Sequence, residues 1–141
     1  MNLIDIQSPA DLKGLSLAEL TDLTAQARQA LMTKVSEHGG HFGPPMGAAE
    51  MIMALHYVFN SPVDKIVYDV SHQSYVHKMV TGRALAFLDH DHYDDVTGYT
   101  DPTESEHDFF NIGHTSTSIS LASGLATARN LKGEDRKSTR L

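Results

Sequence analysis

The run Ile66-Val67-Tyr68-Asp69-Val70 constrains the fold more than any other stretch of the chain. It is β-branched and apolar with little alternation, the pattern of a strand covered on both faces, as in a parallel sheet. Ser71-His72-Gln73 leaves it at once, and a short helix is expected from about Tyr75 to Thr81, stopped by Gly82. A second, shorter extended run, Phe109 to Ile112, leads into GHTSTS (Gly113 to Ser118). A helix follows through Ile119, Leu121, Ala122, Leu125 and Ala126 to Leu131, closed by Gly133. Strands alternating with helices predict an α/β fold with a mostly parallel sheet. One firm strand and one short one are too few to cover four or five helices, so that sheet is expected to be incomplete.

The helices announce themselves by their ends. Ser8-Pro9-Ala10-Asp11 reads as a capped first turn, and Ser16-Leu17-Ala18-Glu19 as a capping box. The box opens a helix whose apolar positions Leu20, Leu23, Ala27, Leu31 and Val35 keep the 3.6-residue period to about Glu37, before Gly39-Gly40. GGHFGPPMG, Gly39 to Gly47, is expected to be a loop. From about Met46 a third helix carries Ala48, Met51, Ile52, Leu55, Val58 and Phe59 nearly all round, as a helix buried on more than one side does. Residues 89–108 read as a long polar loop. Residues 1–133 are expected to form part of one domain. Residues 134–141, EDRKSTRL, stand where an α/β chain should deliver its next buried strand, and they read as a polar tail on a truncated chain or as non-native sequence.

A length of 141 residues suits one domain with a real core. Eleven basic residues against 18 acidic ones, with no dense basic stripe, argue against nucleic acid as a partner. No apolar run approaches the ~18 residues of a membrane span, and the N-terminus lacks the basic start of a secretory signal. The absence of cysteine excludes disulfides, thiolate nucleophiles and Cys-based zinc sites. These features together predict a soluble, cytoplasmic protein. Nine histidines is several times the ordinary share, and several stand beside Gly, Ser and Thr.

Both strand-to-helix junctions carry candidate chemistry, because ligands of open parallel sheets collect outside the carboxyl ends of strands. GHTSTS offers backbone N–H groups, hydroxyls and the positive end of a helix dipole, a combination suited to phosphate. An ordinary Ser/Thr N-cap remains open beside that reading. His72 stands at a strand end. A zinc pair of His72 and His77 fits a five-residue spacing, but no cysteine completes it, and on a helix five residues rotate the rings apart by about 140°. His77 and His56 are expected to be structural. His90 and His92, near Asp94 and Asp95, form a weak metal candidate in the most loop-like region, so no metal ligand is assigned.

GGHFGPPMG, DVSHQSYVHKMVTGR and GHTSTSISLASGLA occur in this order at suitable separations. Together they resemble the N-terminal part of the 1-deoxy-D-xylulose-5-phosphate synthases, within the transketolase-like thiamine diphosphate enzymes, over roughly Leu15 to Gly133. The resemblance implies a thiamine diphosphate-binding α/β domain and a decarboxylative condensation of pyruvate with glyceraldehyde 3-phosphate. By position, His41 resembles the histidine that contacts substrate, and His72 one lining the cofactor site with a share in catalysis. Gly113, His114 and Thr115 resemble the segment touching thiamine diphosphate. The resemblance also implies Mg2+ and a homodimer. Ser71 stands where the family commonly has Gly, and GYTDPTESEHDFF departs from the common loop. The GDG…N motif that binds magnesium is not in the chain, nor is the glutamate that activates the cofactor, so the chain alone is expected to be inactive. A transketolase-type two-carbon transferase and a non-catalytic chain needing a partner are the competing readings.

Overall fold

Ser16 opens the first long helix as its capping box predicts. In the computed structural model, which describes residues 1–134 and 138–140, the Glu19 N–H donates to Ser16 Oγ and the Ser16 N–H donates to the Glu19 carboxylate at 2.8 Å. Helix α1 runs Leu17–His38 and gives way at Gly39, whose φ of 88° suits glycine. Its buried stripe, Leu23, Ala27, Ala30 and Leu31, faces α2, Gly43–Val58. Helix α2 begins earlier than expected. Pro44 and Pro45 were read as loop-formers, but in a first turn the missing N–H groups have no intrahelical partner to lose, so the prolines start the helix. Ile52, Met53 and His56 are buried on its inner side, while Met51 is exposed.

The expectation of an α/β domain with a mostly parallel sheet is overturned: the chain is mostly helical. Among the described residues the extended structure is one short parallel pair, β1 (Lys65–Val67) with β2 (Ser138–Arg140), the register placing Ile66 opposite Thr139. The strand expected over Ile66–Val70 ends after Val67 because the backbone turns. Val70 and Ser71 both hold positive φ, 60° and 70°, a conformation that no strand tolerates and that a β-branched residue adopts only when its surroundings force it. Phe109–Ile112 forms no strand. Of the expected tail, residues 138–140 supply β2, and residues 135–137 and 141 lie outside the described residues.

After β1 the chain makes a single helical turn, α3 (Tyr75–Lys78). It continues into a wide turn, Met79–Arg83, that breaks at Thr81-Gly82. Helix α4 (Leu85–Leu88) and a 3-10 segment (His90–Asp95) occupy part of the expected long loop. An irregular strap then leads to α5, Ser118–Leu131. The main core gathers Leu23 and Leu31 of α1, Ile52 of α2, Val76 and Met79 of the α3 region, and Phe87 of α4. A smaller cluster of Val67, Ile112 and Ala122 seats α5 against β1. No helix among the described residues is long and apolar enough to cross a membrane.

Candidate functional site

The exit from β1 ties the two motif-bearing junctions together. Asp69 turns its carboxylate onto the start of α5, where Oδ1 accepts from the Thr117 and Ser118 N–H groups at 3.0 and 3.1 Å and Oδ2 from Ser116 at 3.0 Å. These donors hold the carboxyl below its ordinary range. The helix start that the hydroxyl cluster marked as an anion site therefore already holds an anion, supplied by the chain itself. Two residues on, the Ser71 hydroxyl is buried; it donates to the Ile112 carbonyl at 2.8 Å and accepts from the Thr100 N–H at 3.0 Å. Its φ of 70° is a conformation that favours glycine, and its two hydrogen bonds are what a serine adds there. Gly113, His114 and Thr115 thus arch, exposed, between two points anchored by Ser71 and Asp69.

His72 and His41 meet. Their ring centroids lie 5.3 Å apart, edge to face. His72 Nδ1 is buried and has no hydrogen-bond partner among the described residues, so a polar atom of the site is left for something else to satisfy. His41 is enclosed by two tyrosines that sequence reasoning did not single out. Its backbone N–H donates to Tyr75 Oη at 3.1 Å, Nδ1 lies 3.4 Å from the same oxygen, and Nε2 lies 3.5 Å from Tyr99 Oη. Gly40, at φ 121°, leaves room for the Tyr75 hydroxyl, which would stand 2.8 Å from any Cβ there. Burial, with His72 nearby, lowers the His41 pKa, while a hydrogen bond to the Gly98 carbonyl works the other way. Each ring nitrogen faces a tyrosine hydroxyl, a group that can either donate or accept.

His41, Tyr75 and Gly98 border a cavity of about 220 Å³ that reaches down to Lys34. Lys34 Nζ donates to the Ala86 and Tyr93 carbonyls, both at 2.8 Å, and lies 4.4 Å from the Phe87 ring centroid. Burial, aided by Lys78, pushes its pKa down to about 8. A larger groove of about 520 Å³ between α1 and α2 shares no lining residue with this cavity; Leu17, Leu20, Met32 and Met53 line it together with the Arg28–Glu50 pair.

The remaining histidines separate cleanly. His56 and His77 stack in the core, Nε2 of the first 2.8 Å from Nδ1 of the second, and His77 Nε2 lies 2.7 Å from Asp108 Oδ1. Burial lowers both pKa values; for His77 it outweighs the Asp108 carboxylate, so the ring donates to that carboxylate as a neutral imidazole. Burial would raise the Asp108 pKa, but the His77 and Arg83 hydrogen bonds prevail and hold it well below the usual range. Among the described residues no group of three or more His, Cys, Asp or Glu side chains is placed to hold a metal ion.

This core pair makes stability pH-dependent in a definite direction. The unfolded rings take up protons below about pH 6.5, whereas the folded rings resist. The unfolded state then binds more protons, so stability falls as pH drops through that value. Exposed His92, raised by Asp95, acts oppositely in the same window, but solvent screening keeps its share small. Urea unfolding should show a lower midpoint at pH 5.5 than at pH 7.5, and the difference should shrink in His56→Gln. Equal midpoints in the parent chain would contradict this.

Comparison with known proteins gives the arrangement its context. Residues 3–140 match the family described as 1-deoxy-D-xylulose-5-phosphate synthase. The synthase of that name from Caldanaerobacter subterraneus is 54% identical over 129 residues, which is 92% of this chain and 21% of the relative. Those from Symbiobacterium thermophilum and Dictyoglomus turgidum are 50% and 48% identical over 135 and 137 residues; the matches cover 96% and 97% of this chain and 21% and 22% of the relatives. The chain spans about a fifth of the length of the curated relatives it matches. It belongs to the 1-deoxy-D-xylulose-5-phosphate synthase family.

Proposed function

We propose that the chain forms part of a thiamine diphosphate-dependent synthase that condenses pyruvate with glyceraldehyde 3-phosphate, releasing carbon dioxide and giving 1-deoxyxylulose 5-phosphate. The observation that carries this reading is the buried, unpartnered His72 Nδ1 beside a neutral, tyrosine-flanked His41, in a chain of this family. His72, Gly113, His114 and Thr115 would hold the cofactor, which supplies the carbanion chemistry that makes the decarboxylation possible. With Asp69 already on the start of α5, a diphosphate would be met by the exposed arch of residues 113–115. Magnesium would be held by residues outside this chain, and two copies of the whole synthase would assemble in the cytoplasm.

The chain's own residues have definite tasks in such a site. The His41 ring, held between the Tyr75 and Tyr99 hydroxyls, can accept a proton and return it near neutral pH. Tyr75 and Tyr99 fix the ring and narrow its access to water. His72 can donate to charge that develops beside it. The test is a chimera in which this chain replaces the matching segment of the Caldanaerobacter relative. From pyruvate and glyceraldehyde 3-phosphate it should form 1-deoxyxylulose 5-phosphate with one carbon dioxide released per product. Ketol transfer from a sugar donor without decarboxylation would overturn the reading.

A further inference from the structure

The strap from Thr97 to Asp101 is tied down by charges that have left water. The Thr97 N–H donates to Glu104 Oε1 at 2.7 Å, and its carbonyl accepts from Lys78 Nζ at 2.9 Å. Glu104 Oε2 accepts from Lys78 at 2.6 Å and from Arg83 at 3.0 Å. The Lys78 side chain is 0% exposed and that of Glu104 is 10% exposed. At the other end, the Thr100 N–H is held by Ser71 Oγ and the Asp101 N–H by Asp108 Oδ2 at 2.9 Å. Between these anchors lie Gly98, which borders the same cavity as His41, and Tyr99, whose hydroxyl lies 3.5 Å from His41 Nε2. A Cβ on Gly98 would stand 3.4 Å from His41 Cε1, His41 Nδ1 and Tyr75 Oη.

A buried ion pair is poor evidence of added stability, since apolar groups of similar volume often serve as well. What this pair does is grip both polar groups of one peptide residue, directly beside the site. We propose that the Lys78–Glu104 pair is a positioning device: by fixing Thr97, whose hydroxyl donates to the Tyr99 carbonyl, it places the Tyr99 hydroxyl against His41 Nε2, which orients the ring and selects the nitrogen that carries its proton. Lys78 and Glu104 touch neither substrate nor cofactor; they act through the strap. The inference rests on the reading of His41 as a site residue.

Long-range 1H–15N correlation of the chain, labelled at histidine nitrogen, reads the His41 tautomer directly, and a merely stabilising role for the pair would leave it unchanged. The parent should show one tautomer. Glu104→Gln should lose it, giving averaged nitrogen shifts and weaker Tyr99–His41 ring contacts. Because that substitution strands the Lys78 charge, the double variant Lys78→Met/Glu104→Met supplies an apolar replacement expected to fold, and it should lose the tautomer too. A folded double variant that keeps the single His41 tautomer would overturn the proposal. An inactive chimera whose His41 responds in this way fails the functional reading alone; an active chimera whose His41 does not respond fails this inference alone.

Discussion

Asp108→Ala is expected to destabilise the chain by about 3–5 kcal/mol, the cost of breaking a buried charge network by removing one partner. Asp108 is 4% exposed and accepts four hydrogen bonds, one from His77, two from Arg83 and one from the Asp101 N–H. Its loss leaves the Arg83 guanidinium with half its carboxylate partners and the His77 Nε2–H with none, in surroundings too dry to compensate. It also frees the Asp101 end of the strap. Against a typical total stability of about 5–15 kcal/mol, that loss is a large share of the margin. Asp94→Ala provides the contrast. Asp94 also meets a histidine, His38, at 2.9 Å, but their side chains are 90% and 38% exposed. Solvent screens that pair, and its removal should lower stability by less than about 1 kcal/mol. Urea denaturation of both variants at pH 7.5 measures the difference. Similar losses in the two would mean that burial does not decide the worth of these pairs.

Much of the helical framework was legible because its signals are local. The Ser16–Glu19 box, the Leu23–Leu31 stripe and Gly39 are each short-range signals, and together they mark the start, face and end of α1. The prolines misled at α2 because a breaker in a helix interior is a starter in its first turn. The sheet was misjudged for a different reason. Ile66 to Val70 has the composition of a buried strand, yet its last residues turn at positive φ so that Asp69 can reach α5, 47–49 residues onward. No periodicity reports a partner that distant.

The site shows the same division. His72 stands out by its place after the Ile66–Val70 run, the 113–115 segment by its hydroxyl neighbours and His41 by the family resemblance, and the structure brings His41 and His72 into contact. What fixes them did not stand out. Tyr75, Gly98 and Tyr99 carry no spacing that marks them. Lys78 and Glu104 lie 26 residues apart, so their charges read as solvated until folding buries them together. The hydroxyl cluster suggests a phosphate site or an ordinary N-cap; within the chain its backbone N–H groups are met by the Asp69 carboxylate. The acidic run Asp101 to Asp108 was the one available sign that the strap holds cations.

His41 carries the largest functional effect the account predicts. In the chimera with the Caldanaerobacter segment replaced, His41→Ala removes the imidazole that two tyrosines hold beside His72, without touching the buried charge network. A positioned general acid–base group contributes roughly 10²–10⁴-fold to a rate. Because the cavity beside it is lined by other residues as well, substrate binding should suffer less than turnover. The decisive measurement is therefore the kcat for 1-deoxyxylulose 5-phosphate formation by parent and His41→Ala chimeras with equal unfolding midpoints. A fall of about 10²-fold or more, with KM changed far less, is the result predicted. A kcat within about two-fold of the parent would contradict the placement of the site around His41.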